Sequence, residues 1–442
     1  MLKVMTKTIM YPDNIDLSEY KKETSDVTKY GLPAEVKFCN SCVMTNQLPK
    51  SEVEHTHNKS TIKQTIDFHD DGKCAACHTT EYKKNRDVDW QERERELINI
   101  CKKYKSNNGS YDCLVPGSGG KDSFYTSYIL KYKYGMNPLT VTWAPNIYTE
   151  WGWRNFQRWI GSGFDNHLIT PNKRVHRLLT RLSIDNLLHP FQNFIIGQKS
   201  FAPKMAVRLN IPLVFYGESD AEYGTGPKER FDTPKRDLKF SSSKKNESLF
   251  FGGLDLETLQ GNFGISKQDL SIYLPESLEK ISNANLEFHD LGYYLKWNPQ
   301  SCYYFAHEKG GFEASPERTP GTYSKYNSID DKIDDFHYFT TGIKFGLGRT
   351  TYEAAQEIRA GDITREEGVE LVKKFDHEYP KRFSNEIFDY LSISEEEFPK
   401  AYKSFESPKM TEEYFLKLCD KFRSPHLWKY NNGTWVLRHN IK

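Results

Sequence analysis

Six consecutive residues, Ser118-Gly119-Gly120-Lys121-Asp122-Ser123, follow directly on the apolar run Cys113-Leu114-Val115 and open a stretch with helical patterning. A short apolar strand that turns through paired glycines into a helix belongs to folds in which parallel strands alternate with helices. Glycine lets the backbone take conformations closed to other residues and come close to a ligand. The N–H groups of such a loop, with those of the helix N-terminus, can face an anion the size of pyrophosphate. Ser118 and Ser123 add hydroxyl donors, Lys121 a positive charge, and Asp122 a carboxylate able to hold a magnesium ion on phosphates. The spacing differs from Gly-x-x-x-x-Gly-Lys-Ser/Thr: Val115 stands where the first glycine belongs, and Asp122 replaces the magnesium-binding hydroxyl.

The sequence around this loop extends the alternation. Short apolar runs at Tyr111–Val115, Leu139–Trp143, Asn166–Thr170 and Ile211–Tyr216 are separated by helical patterns near Ser123–Tyr134, Glu150–Gly161, Lys173–Leu188 and Asn193–Leu209. This predicts an α/β, Rossmann-like parallel-sheet domain over 106–225, with ligand-binding loops at the carboxyl ends of its strands. Residues 1–105 read as an irregular N-terminal region ending in a helix around Trp90 to Tyr104. Residues 226–285 read as a charged insertion or lid, and 286–442 as a mainly helical C-terminal substrate region. Capping boxes at Thr350/Glu353, Thr364/Glu367 and Ser394/Glu397 mark expected helix starts there.

A length of 442 residues allows two or three domains, and a formal charge of +1 argues against a broad nucleic-acid footprint. No apolar run approaches a membrane span, and Met1–Lys7 lacks the apolar core of a secretory signal, so a cytoplasmic protein is expected. In that compartment the 8 cysteines are not expected to form disulfides. Cys39/Cys42 and Cys74/Cys77 are Cys-x-x-Cys knuckles, and two knuckles suit a closed, structural Zn2+ site. His69 and His78 are available to replace a thiolate. Cys101, Cys113, Cys302 and Cys419 are expected as buried small hydrophobes.

Further candidates cluster at predicted strand ends. Gly217-Glu218-Ser219-Asp220-Ala221-Glu222-Tyr223-Gly224 follows the fourth strand, joining a glycine to three carboxylates near the phosphate loop. Trp143 closes the second strand, where its ring could stack on a base. Trp151, Trp153 and Trp159 fall at helical spacing and read as core. Lys344-Phe345-Gly346-Leu347-Gly348-Arg349 precedes a helix, which makes Lys344 and Arg349 candidate phosphate ligands. The histidines His167, His176, His189, His289, His307, His337 and His377 show no ligand spacing and receive no catalytic role.

The Ser118–Ser123 loop resembles the PP-loop of N-type ATP pyrophosphatases, the adenine nucleotide alpha-hydrolase-like fold. In combination, several blocks resemble the N-acetyl sugar amidotransferases of bacterial surface-glycan biosynthesis. These are Cys39-x-x-Cys42-Val43-Met44, Tyr111–Gly117 with the loop, Gly217-Glu218 with Ala221–Gly224, Lys344–Arg349, and Arg359–Glu367. The resemblance runs from Cys39 to about Tyr379, with a longer segment between the knuckles than is usual. It implies an ATP- and Mg2+-dependent enzyme that turns an N-acetyl group of an O-antigen (lipopolysaccharide) sugar or a nonulosonic acid into an acetamidino group. Ser118, Gly119, Gly120, Lys121, Asp122, Ser123, Trp143, Gly217 and Glu218 would bind ATP. Lys121 and Asp122 would be catalytic, with magnesium at Asp122. The chain has no evident glutaminase part, so the resemblance implies a separate glutaminase and a synthase-like partner supplying ammonia. The alternatives are a tRNA-thiolating or lysidine-type enzyme of the same fold, or a non-catalytic zinc/ATP-binding scaffold.

Overall fold

In the computed structural model, which describes residues 10–85, 88–225 and 232–442, the strand–helix alternation becomes a five-stranded parallel sheet. The expectation for Met1–Lys7 and the stretch 226–231 of the expected insertion lie outside the described residues. The strands are β1 (Cys113–Pro116), β2 (Pro138–Trp143), β3 (Asn166–Ile169), β4 (Leu213–Tyr216) and β5 (Glu287–Asp290). Their spatial order is β3-β2-β1-β4-β5. Leu114 of β1 pairs with Leu139 on one side and Val214 on the other. The chain winds outward from β1 to β3 and then crosses back to β4, so the order reverses between β1 and β4. In open sheets of this kind the crevice at that reversal, beyond the carboxyl ends of the strands, is where ligands sit.

The helices used below are α1 (Ala75–Asn85), α2 (Trp90–Tyr104), α3 (Lys121–Tyr128), α4 (Glu150–Gly161), α5 (Lys173–Leu187) and α6 (Gln192–Leu209). Further along come α7 (Pro299–Gly310), α8 (Asp334–Phe345), α9 (Arg349–Ala360) and α10 (Arg365–Phe375). One face of the sheet is covered by α5 and α6, whose Leu178, Leu179, Ile196 and Ala202 pack with Leu114, Leu139 and Val214. The other face receives Leu97 and Cys101 of α2 against Cys113, Val115, Leu213 and Phe215. Burial on both faces explains why these strands read as continuous apolar runs.

Four details differ from the sequence reading. β5 was not anticipated: Glu-Phe-His-Asp offers a single apolar side chain, and its buried polar groups are satisfied locally. His289 bonds Tyr294 and Glu287, and Asp290 pairs with Arg236. The stretch before it does not stand off the surface. Phe251, Leu259, Ile265, Leu270, Tyr273 and Ile281 join the same core as α5 and α6. Thr350/Glu353 is not a cap, because α9 begins after Gly348; the Thr350 hydroxyl donates to the Gly321 carbonyl (2.7 Å) instead. Thr364/Glu367 does form the reciprocal box that opens α10, whereas Ser394/Glu397 closes a turn ahead of a helix that starts at Pro399.

The knuckles pack on the far end of the chain. Cys39, Cys42, Val43 and Met44 share a core with Phe345, Leu347, Ala354, Ala355 and Val369. A second tie fastens the loop after β2 to the C-terminal region. Asp331 accepts from the backbone (2.6 Å) and side-chain (2.8 Å) N–H groups of Asn146. Beside it, a Cβ on Gly152 of α4 would meet the Asp330 Cα at 2.4 Å, so these two backbones touch.

Candidate functional site

The loop after β1 lies at the carboxyl edge of the sheet, beside the loop after β4. Gly119 takes φ +87°, and an added Cβ would meet the Phe156 Cα at 2.6 Å, so the glycine is demanded by α4 passing behind it. Gly120 is different: it caps α3, and the only atom near an added Cβ would be Ser118 Oγ at 3.8 Å. No side chain caps α3. The first N–H groups of that helix therefore remain available on the side where Gly120 leaves space, an arrangement suited to an anion.

Ser118, Gly119, Gly120, Lys121 and Asp122 line a cleft of about 440 Å³, which also contains Glu218, Tyr326, Asp334, Tyr338, Arg349 and Glu353. Ser118, Gly120, Asp122 and Glu218 also border a second cleft of about 470 Å³, reaching past Gly217 and Ser123 to Lys199 and Arg236. Glu218 further touches a third of about 620 Å³, walled by Trp90, Trp297, Lys83, Lys84, Lys296 and Arg359. Glu218 thus stands where three spaces meet, and the loop borders two of them.

Lys121 Nζ contacts both carboxylate oxygens of Asp122, at 2.8 and 2.7 Å. Burial works against the Lys121 charge, but the Asp122 and Glu218 carboxylates outweigh it and hold the ammonium above its usual range. Glu218 accepts from Trp297 Nε1 (3.3 Å) and from the Tyr223 hydroxyl. Burial, reinforced by Asp122 and opposed by Lys121, pushes Glu218 up to about 7. The Cβ that Gly217 lacks would strike the Trp297 ring at 2.6 Å, so that glycine lets the indole reach Glu218. Glu222, the third carboxylate of the expected trio, turns away to Lys83, and its carbonyl accepts from Arg359 (2.9 Å).

Two candidate ligands fall elsewhere. Trp143 is a core residue: its indole fills the slot left by Gly197 of α6, whose added Cβ would lie 2.2 Å from the ring. It packs edge-on to His176, Phe201 and Tyr273, so it offers no face for stacking a base. Lys344 is buried away from the cleft, donating to the Leu187 carbonyl (3.1 Å), and burial pushes it down to about 7. Arg349 does reach the cleft. It bonds Glu353 (2.6 Å) and lies 4.2 Å over the Tyr338 ring. Asp334 beside it is pushed up to about 6 by burial, with Arg349 pulling the other way.

Most of the opposite wall of the cleft, Tyr326, Asp334 and Tyr338, had no local signature, and Glu353 only that of a cap: these residues come from a loop and two helices separated by turns. Only Arg349 announced that region, through its glycines and the helix start.

The four knuckle cysteines converge. Cys39, Cys42, Cys74 and Cys77 are buried with their sulfurs within 4.8 Å of one another, and the pairs Cys39–Cys77 and Cys42–Cys74 are each 3.7 Å apart. A tetrahedron of sulfurs on zinc has edges of ~3.8 Å, so the set fits that ion. Backbone N–H groups of Ser41 and Cys74 point at Cys39 Sγ, and that of Met44 at Cys42 Sγ, as thiolate ligands require. The group can hold zinc with no open position. His69 and His78 are not part of it; their rings lie against each other at 3.7 Å, and His78 bonds Asp71. Cys101, Cys113, Cys302 and Cys419 are buried singly.

Residues 320–442 match a family model described as LPS biosynthesis protein WbpG-like, C-terminal domain. This segment supplies Tyr326, Asp334, Tyr338, Arg349 and Glu353 to the cleft. An uncharacterized protein of Methanocaldococcus jannaschii is 32% identical over 83 residues, which are 19% of this chain and 28% of that protein. The chain therefore spans under a third of that relative's length. No helix among the described residues is long and apolar enough to cross a membrane.

Proposed function

We propose that the chain is an ATP-dependent amidotransferase of surface-glycan biosynthesis, converting an N-acetyl group of a sugar to an acetamidino group and forming AMP and pyrophosphate. One observation carries this reading. An uncapped helix N-terminus with Lys121, Asp122 and Glu218 faces, across one cleft, residues of the segment that resembles a lipopolysaccharide biosynthesis domain. The Ser118–Ser123 resemblance to the PP-loop supports ATP as the occupant of the loop side, and the matched segment supports a glycan sugar on the other.

An amide oxygen is a poor leaving group, so ammonia cannot displace it unaided. In this mechanism the acetamide oxygen attacks the α-phosphorus and the α–β phosphoanhydride bond breaks, giving an O-adenylyl imidate and pyrophosphate. Ammonia then adds to the imidate carbon, loses a proton, and expels AMP to leave the acetamidine. Negative charge grows on the departing pyrophosphate, where the α3 N–H groups and Lys121 stabilise it. A magnesium ion at Asp122 would offset the same charge. Glu218, standing where the clefts meet, is placed to take the proton that ammonia loses. Ammonia would come from a separate glutaminase and a synthase-like partner.

The test is a mass-spectrometric assay with ATP, magnesium, ammonium and a panel of N-acetyl sugar nucleotides and nonulosonic acids. AMP, pyrophosphate and an oxygen-to-imino exchange in one sugar are expected, and Lys121→Met should slow their formation about 100- to 1,000-fold. AMP formation stimulated by tRNA with no sugar changed would overturn the proposal. Use of glutamine as readily as ammonium by the purified chain would overturn the separate-glutaminase part alone.

A further inference from the structure

A second group of metal-ligating side chains lies apart from the cysteines and from the cleft. Glu54 opens a single 3-10 turn, Glu54–Thr56, in the segment between the two knuckles; His57 follows that turn, and His189 follows α5. Ligand atoms of these three residues lie within 4.8 Å of one another. Glu54 Oε2 is 3.0 Å from His57 Nδ1, and Oε1 is 3.3 Å from His189 Nε2. Tetrahedral nitrogen and oxygen ligands at the usual zinc distances stand ~3.3 Å apart. The side chains of Glu54, His57 and His189 are largely buried, at 11%, 6% and 10% exposure.

The surroundings hold this geometry in place. Gln192 Nε2 donates to the carbonyls of Glu54 (3.1 Å) and His57 (2.8 Å), while its Oε1 accepts from the Gly253 N–H (3.1 Å). The His189 ring is stacked on His337, with centroids 5.3 Å apart. Such outer partners fix the orientation of metal ligands. None of the three nearby ammonium groups forms an ion pair with Glu54: Lys344 donates to the Leu187 carbonyl (3.1 Å), Lys63 is 3.9 Å from Glu52, and Lys199 lies 5.0 Å over the Phe240 ring. A buried carboxylate flanked by two imidazoles, with no bonded cation, suits a divalent ion of borderline softness.

We infer that Glu54, His57 and His189 form a second divalent transition-metal site, independent of the proposed reaction. It fastens the segment between the knuckles to the end of α5. Each imidazole would turn a lone pair inward by keeping its proton on the other ring nitrogen. Because Ser51 of this segment donates its N–H to the Thr225 carbonyl (3.1 Å), the ion would also steady one rim of the clefts.

The experiment loads the metal-stripped full chain with cobalt(II) and measures stoichiometry and absorption. About two equivalents are expected, one with an intense thiolate-to-cobalt band from the four cysteines and one with only weak d–d bands. Glu54→Gln and His189→Asn should each leave about one equivalent, with the thiolate band unchanged and so reporting an intact fold. Gln192→Ala keeps every ligand and should weaken retention of the second ion about 10- to 100-fold. A single equivalent in the unaltered protein, or a second that survives both ligand substitutions, would overturn the inference and leave a hydrogen-bonded nest.

Discussion

Gly119 and Gly120 are neighbours with opposite reasons to be glycine. At Gly119 the constraint is internal, since φ is +87° and the Phe156 backbone occupies the space of a Cβ. Gly119→Ala is therefore expected to cost about 2–5 kcal/mol of stability, read from denaturant unfolding. At Gly120 φ is −68° and no protein atom stands nearer than 3.8 Å to an added Cβ. Gly120→Ala should shift stability by less than about 1 kcal/mol. It should still weaken ATP binding at least about tenfold, because the methyl group enters the space before the helix N-terminus. Equal losses of stability in the two variants would refute this division. Glu218 gives a second prediction, for the nucleotide-free protein. Its folded pKa of about 7 exceeds that of an unfolded glutamate, about 4.3. Between those values the folded state keeps the proton that the unfolded chain has lost, so stability falls as pH rises through the window and stays reduced above it. Glu218→Gln should melt higher than the unaltered protein at pH 8 and show no gain at pH 4. The loop itself was legible because its chemistry is local. Trp143 misled for the opposite reason: the glycine that buries its ring, Gly197, lies a whole βα unit away.

The same contrast between local and distant causes governs the elements. β1 to β4 and α4 to α6 were readable because each carries its own period and each covers, or is covered by, a neighbour in sequence. β5 is held by contacts its sequence does not advertise, and Glu54 and His57 acquire meaning only when the fold brings His189 to them. The knuckles show how one element can support another. Arg359 at the end of α9 lies 3.9 Å from Cys42 Sγ and donates to the Glu222 carbonyl (2.9 Å), so it bridges the cysteine group and the loop after β4. Removing a zinc ion held there would leave four buried thiols without their cross-link and free α1 from the Cys39–Cys42 knuckle. A strong chelator, or Cys74→Ser, is expected to lower the melting temperature by at least about 5–10 °C. Unchanged melting after metal analysis shows the protein zinc-free would exclude a structural role.

At the scale of the whole molecule, the segment that the family model delimits owns only part of its core: Phe336, Ile387, Leu391, Phe415 and Leu418 pack together with Ile184, Leu188 and Phe191, but a second cluster is shared. Within 320–442, Phe345, Leu347, Ala354, Ala355 and Val369 bury themselves against Cys39, Cys42, Val43 and Met44 from the other end of the chain. Tyr20 donates its hydroxyl to the Arg423 carbonyl (2.8 Å), and His426 bonds Gln47 (3.0 Å). The Asn146–Asp331 hydrogen bonds fasten the same region to the sheet. Cutting the chain before residue 320 would expose two apolar faces at once and halve the cleft. Residues 320–442 produced alone are expected to lack a cooperative thermal transition and to bind apolar dyes. Adding the N-terminal region, residues 10–105, as a separate fragment should restore part of the structure, since that region supplies the other side of the shared cluster. A sharp, reversible melt of the isolated segment would show instead that it folds by itself. The cleft would then be a junction of two independent bodies, and Arg349 could move relative to Lys121 rather than being held opposite it.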